Sequence, residues 1–399
     1  MVRFLYEIEV RYYGEMRACL KKIGIKAPIT GTNQTFCPAS NYADARNEFM
    51  SRNNYWCHPS FDAKPFFTFK DSAVVNSDIP RMSNPVTEVA SSTVSGKPMI
   101  VPEYNFPWPN EFRAECLPLM AAYGCLQDWD GMLFFAYDTD GKALTSFGNQ
   151  SDPVRWGEVA AAALLFLRRD VAAAKKTVHM AYPEADIFTA RPSHSGAKSS
   201  PFRYWTYISK VRNSYFKEKY EGNADVVVRP GDLPNDYAEK QRYMSDTGEL
   251  TLDRGAGLFT IATPMSKAAV GFLGKAGRVD LNGAMIECKT PFAAVIITSL
   301  DGKPIETSKR ILVTAVARAE NTGQAFYRKR SSVPEQGRPP ALAEPVECEL
   351  ALKLGGRATV YALDETGKRR DKLDAQIQDG LLRMNLGGAR SPWCEVVIE

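Results

Sequence analysis

Glu103 is the acidic residue whose sequence setting points most directly to chemistry. It ends a short apolar run and is followed at once by aromatic residues, in the segment VPEYNFPWPN that covers 101–110. A carboxylate in such a place is either neutralised by a nearby arginine or by backbone donors, or it acts as a nucleophile. Because sugars bind by stacking their C–H faces on aromatic rings, the neighbouring aromatic residues favour a nucleophile that works on carbohydrate.

His58 lies in a second segment of interest, NYWCHP at 54–59. Taken alone, a histidine in an aromatic loop is typical of a hydrogen-bonded structural residue. Motifs for other chemistry are missing from the chain: it has no dinucleotide-binding glycine pattern, Walker loop, zinc-protease motif or serine-hydrolase elbow. The eight cysteines include no C-x-x-C pair, so neither a zinc cluster nor a dense disulfide framework is expected.

The elements around Glu103 alternate between helix and strand. Apolar residues recur every four positions from Phe4 to Leu20, which predicts an amphipathic helix. Strands are predicted at 27–33, 52–55, 97–104 and 131–138, with helices at 111–127 and 154–171. This alternation indicates a parallel sheet covered by helices, in which side chains at the carboxyl ends of the strands form the site. Asn33, Glu103 and Tyr137 occupy such ends.

Beyond about residue 182 the pattern changes to short β-rich runs. We expect a β-rich middle domain over 183–330, a linker rich in proline and glycine over 331–344, and a small β-sandwich over 345–399. Asp301-Gly302 predicts a hairpin turn. The expected fold class is therefore an α/β region at 1–182 followed by all-β domains.

Composition excludes several broad classes of protein. The 399 residues carry 50 basic and 46 acidic side chains, a bias too small to predict a nucleic-acid partner. No apolar run approaches the roughly 18 residues that span a bilayer, so no membrane segment is expected. The amino terminus lacks the apolar core of a signal peptide.

Four segments in the same order resemble the retaining (β/α)8-barrel glycoside hydrolases, the clan of cellulases, mannanases and β-galactosidases. The segment GKPMIVPEYN (96–105) is similar to the seventh strand of that barrel, which ends in the nucleophilic glutamate. The segments ITGTN (29–33), NYWCHP (54–59) and QDWDGMLFFAY (127–137) resemble the fifth, sixth and eighth strands. The resemblance implies that residues 1–182 form the second half of the barrel.

The resemblance also implies a role for each candidate residue. Glu103 would be the nucleophile, and His58 and Tyr55 would hold it ionised and aimed. Contacts with the carbohydrate substrate would come from the side chains of Asn33, Trp56, Tyr104, Trp108, Glu111 and Tyr137. Neither a cofactor nor a metal is needed. Members of this clan that act on polysaccharide are often exported, which favours an extracellular or periplasmic location.

The chain departs from this family in one respect. Retaining hydrolysis uses two carboxyl groups about 5–5.5 Å apart, and the second belongs to the fourth strand of a barrel of about 250 residues. By this interpretation the first four βα units are absent, and the pairs Asn47-Glu48 and Asn110-Glu111 do not end apolar strands. Three hypotheses follow: a glycosidase lacking its acid, a carbohydrate-binding or assembly protein without turnover, and a half-barrel that pairs with a missing half or with a second copy.

Overall fold

The computed structural model describes residues 1–35, 37–60, 68–76, 84–137, 143–189, 201–222, 225–229, 240–327 and 330–399. Its first part is an α/β layer. Five helices belong to it: α1 (Val2–Lys22), α2 (Pro38–Asp44), α3 (Pro85–Ala90), α4 (Cys116–Leu126) and α5 (Pro153–Leu167). Its strands are β1 (Met50–Ser51), β2 (Asn54–Tyr55), β3 (Met99–Asn105) and β4 (Gly131–Phe134). These elements match the predicted alternation except at 27–33, where the predicted strand does not form.

The strands of this layer are parallel and lie side by side in chain order. β1 and β2 pair with one edge of β3, and β4 pairs with the other. The segment 29–33 runs along the outer side of β1, where the carbonyl oxygens of Ile29 and Asn33 accept bonds from the amides of Glu48 and Asn53 at 3.0 and 2.9 Å. Within the described residues this sheet stays open and does not close into a barrel.

One face of the parallel sheet is covered and the other is open. Met99 and Val101 of β3 are buried against the helices, and Met132 of β4 lies beside α4. The residues that alternate with them behave differently: Ile100 and Pro102 are only half-buried, and Leu133 is exposed. Since alternate residues of a strand point to opposite faces, the helices cover one side only.

A three-stranded parallel sheet follows the α/β layer. It consists of β5 (Thr177–Pro183), β6 (Lys210–Phe216) and β7 (Val226–Val228), with the short helix α6 (Glu184–Ile187) after β5. β5 lies in the middle and pairs with both neighbours. The domain boundary predicted at residue 182 therefore falls within a strand.

The remainder of the chain is antiparallel β structure. Its elements are β8 (Arg242–Met244), β9 (Leu250–Asp253), β10 (Leu258–Ala262), β11 (Ser266–Gly271), α7 (Leu273–Ala276), β12 (Arg278–Asp280), β13 (Ala284–Cys288), β14 (Ala293–Ser299), β15 (Arg310–Val316), β16 (Ala319–Thr322), β17 (Ala325–Tyr327), β18 (Ser332–Glu335), β19 (Arg338–Ala343), β20 (Cys348–Lys353), β21 (Ala358–Leu363), β22 (Arg369–Leu373), β23 (Ala375–Gln378), β24 (Leu381–Asn385) and β25 (Trp393–Ile398). A nine-stranded sheet, β22-β21-β25-β15-β14-β11-β10-β9-β8, faces a five-stranded one, β12-β13-β20-β24-β23. Apolar residues from both sheets form the core between them.

The predicted division of this β region differs from the observed strand pairing. Strand β13 of the expected middle domain pairs with β20 of the expected terminal sandwich, with Cys288 opposite Cys348. Strand β15 likewise pairs with β25. The two segments thus form one sandwich, because strands far apart in sequence complete the same sheets. The segment predicted as a linker contains β18 and β19, which pair with β17 and β16.

The fold class is mixed α/β with many strands and few helices. The α/β layer and the sandwich share one apolar cluster, to which Leu119 and Phe166 contribute from the helices and Phe259 and Ile296 from the strands. Across the described residues, no helix is both long enough and apolar enough to cross a membrane.

Candidate active site

Glu103 and Tyr55 meet at the carboxyl end of the parallel sheet. Tyr55 is the last residue of β2 and pairs in register with Asn105 at the end of β3. Its hydroxyl donates a hydrogen bond to Oε2 of Glu103, which is half-buried. Burial raises the pKa of the Tyr55 hydroxyl above its ordinary value, and the neighbouring carboxylate raises it further. Tyr55 therefore stays protonated and fixes one oxygen of the carboxylate.

Aromatic rings form a wall beside this pair. The ring centroids of His58, Phe135 and Phe147 lie 5.5, 6.1 and 5.4 Å from that of Tyr55. His58 and Phe147 are also 5.4 Å apart. Nδ1 of His58 is 2.7 Å from the carbonyl oxygen of Pro59, and since a carbonyl only accepts, Nδ1 carries the proton. The wall offers apolar ring surface next to an anionic oxygen, a combination suited to a sugar ring.

Arg155 holds the loop that carries Phe147. This guanidinium is completely buried near the start of α5, where its Nε donates to Asp152 at 2.7 Å and its Nη1 to the side chain of Asn105 at 3.2 Å. Its remaining bonds, of 2.8–3.0 Å, go to the carbonyl oxygens of Thr145, Ser146 and Gly148. The residues on both sides of Phe147 are thereby tied to the end of β3.

Asn105 connects the ends of β3 and β4. Its Nδ2 donates to the carbonyl oxygen of Phe135 and, at 3.0 Å, to the side chain of Asn149. Asn105 is fully buried, so these bonds satisfy a polar group that water does not reach. The same residue thus orients Phe135 and, through Arg155, the loop that carries Phe147.

The structure brings three predicted catalytic residues together: Glu103, Tyr55 and His58. Asn33 and Tyr137 are exposed at the same end of the sheet, at its two margins. Tyr137 follows β4, is 70% exposed, and packs one side against Trp156 at 6.1 Å. Both residues have surface with which to contact a ligand.

Three aromatic residues predicted to bind substrate lie in the core instead. Trp56 and Trp108 are each 1% exposed, with their indole N–H groups bonded to the Ser72 carbonyl and the Gln324 side chain. Tyr104 is also buried, because an irregularity in β3 between Val101 and Tyr104 shifts the alternation of its side chains. Tyr104 therefore points toward the helices, 5.3 Å from Phe134. This placement leaves the three rings no surface for a sugar.

Glu111, predicted to contact the substrate, joins the α/β layer to the β region. Its carboxylate lies 3.2 Å from Arg318 and 3.4 Å from Arg330, both beyond β15 in the chain. Its backbone amide donates to Asp71. The acidic residue after Asn110 therefore serves an ion-pair cluster rather than the site around Glu103.

Phe147 and Arg155 were missed by the sequence interpretation. A signal for Arg155 exists in the sequence, since it is the one basic residue in the helix PVRWGEVAAAALLFL, which is otherwise mostly apolar. Phe147 carries no such signal, because its position beside Tyr55 depends on a loop whose path the sequence pattern does not specify.

Two other carboxyl groups, those of Glu115 and Glu158, are completely buried. Burial raises the pKa of Glu115 to about 8, although the amides of Val74 and Val75 donate to it. Burial likewise raises the pKa of Glu158 well above its ordinary value. In the part of the chain that the structure describes, the bond to Glu103 comes from Tyr55 and not from a second acid. The carboxylate of Glu103 therefore has one oxygen held by a neutral hydroxyl, beside exposed aromatic rings.

Among the described residues, no group of three or more histidine, cysteine, aspartate or glutamate side chains is arranged to hold a metal ion.

A scan against protein-family models finds no match to this chain, and searches of curated proteins and of solved structures find none either.

Proposed function

We propose that this chain carries the nucleophile of a retaining β-glycoside hydrolase, on a layer that corresponds to the second half of a (β/α)8 barrel. The observation that carries the proposal is the pairing of Glu103 with the Tyr55 hydroxyl beside the aromatic wall, at the carboxyl end of parallel strands. Parallel strands in chain order, with a helix after β2, β3 and β4, support the barrel part of the proposal.

In the proposed reaction Oε1 of Glu103 attacks the anomeric carbon of the sugar. The bond from that carbon to the leaving oxygen breaks, and the leaving group departs with the electron pair. Water then attacks the same carbon and the ester bond to Glu103 breaks, which restores the carboxylate. The proton that the water loses balances the negative charge of the departed leaving group. Tyr55 keeps Oε2 in place throughout, and the rings of His58 and Phe147 receive one face of the sugar.

Aryl glycosides with acidic phenols are the substrates on which to test the proposal. Loss of general acid catalysis costs roughly 10²- to 10⁴-fold, and a phenolate that leaves without a proton escapes this loss. We expect a 2-fluoro glycoside with a dinitrophenyl leaving group to form a stable ester on Glu103, visible as a mass increase on the peptide that contains this residue.

The matched control is Glu103→Gln, which preserves size but removes the nucleophile. It should show no mass increase under the same conditions. A label found on another residue, or equal labelling of the variant, contradicts the proposal.

The second candidate is a carbohydrate-binding or assembly protein without turnover. The observation that favours it is the bond of Glu103 to Tyr55 rather than to another acid among the described residues. Calorimetry with a β-linked oligosaccharide separates the two functions. Under this candidate the chain binds the sugar, Glu103→Gln changes the affinity little, and no ester forms.

A further inference from the structure

Two buried cysteines lie directly opposite each other in the sandwich. Cys288 is the last residue of β13 and Cys348 is the first of β20, and the two are partners in the antiparallel register of these strands. Directly opposed residues point to the same face of a sheet, and both side chains belong to the core between the two sheets. They are only 5% and 2% exposed, so each thiol is enclosed with the other as its neighbour.

The hydrogen bonds between β13 and β20 show that the two cysteines are a non-hydrogen-bonded pair. The amide of Lys289 donates to the carbonyl oxygen of Glu347 at 2.8 Å, and the amide of Lys353 donates to that of Gly283, also at 2.8 Å. Bonded and non-bonded pairs alternate along an antiparallel ladder, and the two cysteines are an odd number of steps from both of these bonded pairs. In non-hydrogen-bonded pairs the Cα atoms are about 4.5 Å apart and the side chains are closest.

This spacing suits a disulfide bond. Disulfides join residues whose Cα atoms are about 4.4–6.8 Å apart and whose Cβ atoms are about 3.5–4.5 Å apart. The thiols now make only weak bonds: Sγ of Cys288 lies 3.7 Å from the carbonyl oxygen of Thr290, and Sγ of Cys348 lies 3.5 Å from that of Glu349. A disulfide would therefore replace weak bonds while the two strands keep their register.

The pKa values of the buried thiols distinguish Cys288 from the others. Its pKa is lowered, chiefly because hydrogen bonding with the Cys348 thiol stabilises the thiolate, and the same interaction raises the pKa of Cys348. Burial instead raises the pKa of the remaining buried cysteines, which are Cys57, Cys116, Cys125 and Cys394. Since the thiolate is the form that attacks a disulfide, Cys288 is the residue from which oxidation would begin.

From the register, the burial and the spacing we propose that Cys288 and Cys348 form a disulfide when the chain folds in the presence of a disulfide oxidant such as oxidised glutathione. The Cys288 thiol loses its proton, its sulfur attacks one sulfur of the oxidant, and one glutathione thiolate leaves. Cys348 then loses its proton and attacks the Cys288 sulfur of this mixed disulfide, and the second glutathione leaves. The two cysteines lose two electrons, and the oxidant takes them up as two thiols.

The bond would connect parts of the sandwich that are distant in the chain. Strands β12 and β13 form a hairpin that joins the five-stranded sheet through β20. Cys288 and Cys348 are 60 positions apart, so the cross-link closes a long loop and lowers the conformational entropy of the unfolded chain. We expect the oxidised chain to melt roughly 5 °C above the reduced chain.

The first experiment refolds the full chain in a mixture of oxidised and reduced glutathione, alkylates the remaining thiols, and maps the peptides by mass spectrometry without reduction. We expect one linked pair of peptides, which contain Cys288 and Cys348, and alkylation of every other cysteine. Alkylation of all eight cysteines overturns the proposal, and so does a link that involves a different pair. Because this map uses the wild-type chain, it decides the proposal even if a variant does not fold.

Two variants test the effect of the cross-link on stability. Cys288→Ala removes one partner, so its melting temperature should be the same after oxidation and after reduction. Cys394→Ala is the matched control, since Cys394 is buried on β25 of the same sandwich but lies opposite Val313. It should keep the linked peptides and the rise in melting temperature. A linked wild-type chain that melts no higher than the reduced chain would overturn the stabilising role of the bond.

Discussion

At the scale of single residues, the Tyr55 hydroxyl is the group that acts most directly on Glu103. Tyr55→Phe keeps the ring in the aromatic wall and removes the donor to Oε2. A hydrogen bond to a charged group contributes about 1.5–3 kcal/mol, so we expect ester formation to slow roughly 10- to 100-fold. Sugar affinity should change little because the ring surface remains. The time course of labelling by mass spectrometry measures the effect.

Tyr361→Phe, a tyrosine on β21 of the sandwich, is the matched control and should label at the wild-type rate. Equal rates in Tyr55→Phe and wild type would mean that the hydroxyl does not orient Glu103.

Glu115 gives the stability of this protein a dependence on pH. Burial raises its pKa from about 4.5 to about 8, so the folded chain holds this proton more tightly than the unfolded chain does. The resulting stabilisation is complete below about pH 4.5 and is lost as the pH rises through about 8. We expect the melting temperature to fall between pH 5 and pH 9, and Glu115→Gln, which stays neutral, to reduce that fall.

Glu365→Gln removes an exposed carboxyl and should keep the wild-type dependence. If Glu115→Gln shows the same fall as wild type, the buried carboxyl is not its origin.

Residue types predicted which side chains lie together at the centre of the candidate site. They did not predict which of the neighbouring aromatic side chains are exposed and which are buried. Glu103, Tyr55 and His58 follow apolar strand segments, so the end of a parallel sheet was enough to bring them together. Trp56 and Trp108 follow the same strands but turn into the core. Their direction depends on contacts with Ser72 and Gln324, which lie far away in sequence. Local pattern carries no information about such contacts.

At the scale of elements, Arg155 ties the loop after β4 to the end of β3. Arg155→Met removes the guanidinium that donates to the carbonyl oxygens of Thr145 and Gly148 and to the side-chain oxygen of Asn105. The carbonyl of Ser146 also loses this donor but keeps the bond from the Trp108 amide. Removing one partner of a buried ion pair costs about 3–5 kcal/mol, although Arg113 still neutralises Asp152 here. We expect the free energy of unfolding to fall by an amount near the lower end of that range, as measured by denaturant unfolding.

Arg11→Met removes an arginine from an exposed pair with Glu15 on α1, at 3.9 Å, and is the matched control. Exposed pairs contribute about 0–1 kcal/mol, so the free energy of unfolding should fall less in this variant than in Arg155→Met. Similar losses for the two variants would contradict the role given to the buried network.

Elements with a strong periodic pattern were the ones that could be predicted. The strands at 99–105 and 131–134 and the helices α1 and α5 lie where the apolar spacing places them. The segment 331–344 was taken as a linker because it contains three prolines and a glycine. It forms β18 and β19 because their partners β17 and β16 supply the pairing, a tertiary effect that overrides local preference.

At the scale of the whole molecule, the sequence did not indicate that the β region is one sandwich. Each of its strands was recognisable, but the pairing of Cys288 with Cys348 and of Thr314 with Trp393 joins segments 60 and 79 residues apart. Turn residues specify neighbouring hairpins only, and such long-range pairs have no local signal. The domain boundaries inferred from changes in composition therefore differ from the division that the strand pairing indicates.

Gly157 lies at a close contact between the α/β layer and the sandwich. A Cβ atom there would lie 2.9 Å from Val316 and 3.4 Å from Pro392, while the Gly157 carbonyl accepts the indole N–H of Trp393 at 2.6 Å. Gly157→Val should force these surfaces apart and cost roughly 1–3 kcal/mol, the range for overpacked cores. Gly388→Val, where nothing lies within 4 Å, is the control.

Because one apolar cluster spans both parts of the chain, wild type should unfold in a single transition, by far-UV circular dichroism and by tryptophan fluorescence alike. In Gly157→Val we expect the melting temperature to fall while the two probes stay coincident, because the shared core still couples the layers. Separate transitions in wild type would show that the sandwich folds independently. The sandwich would then be an attached domain and not part of the support for the parallel sheet.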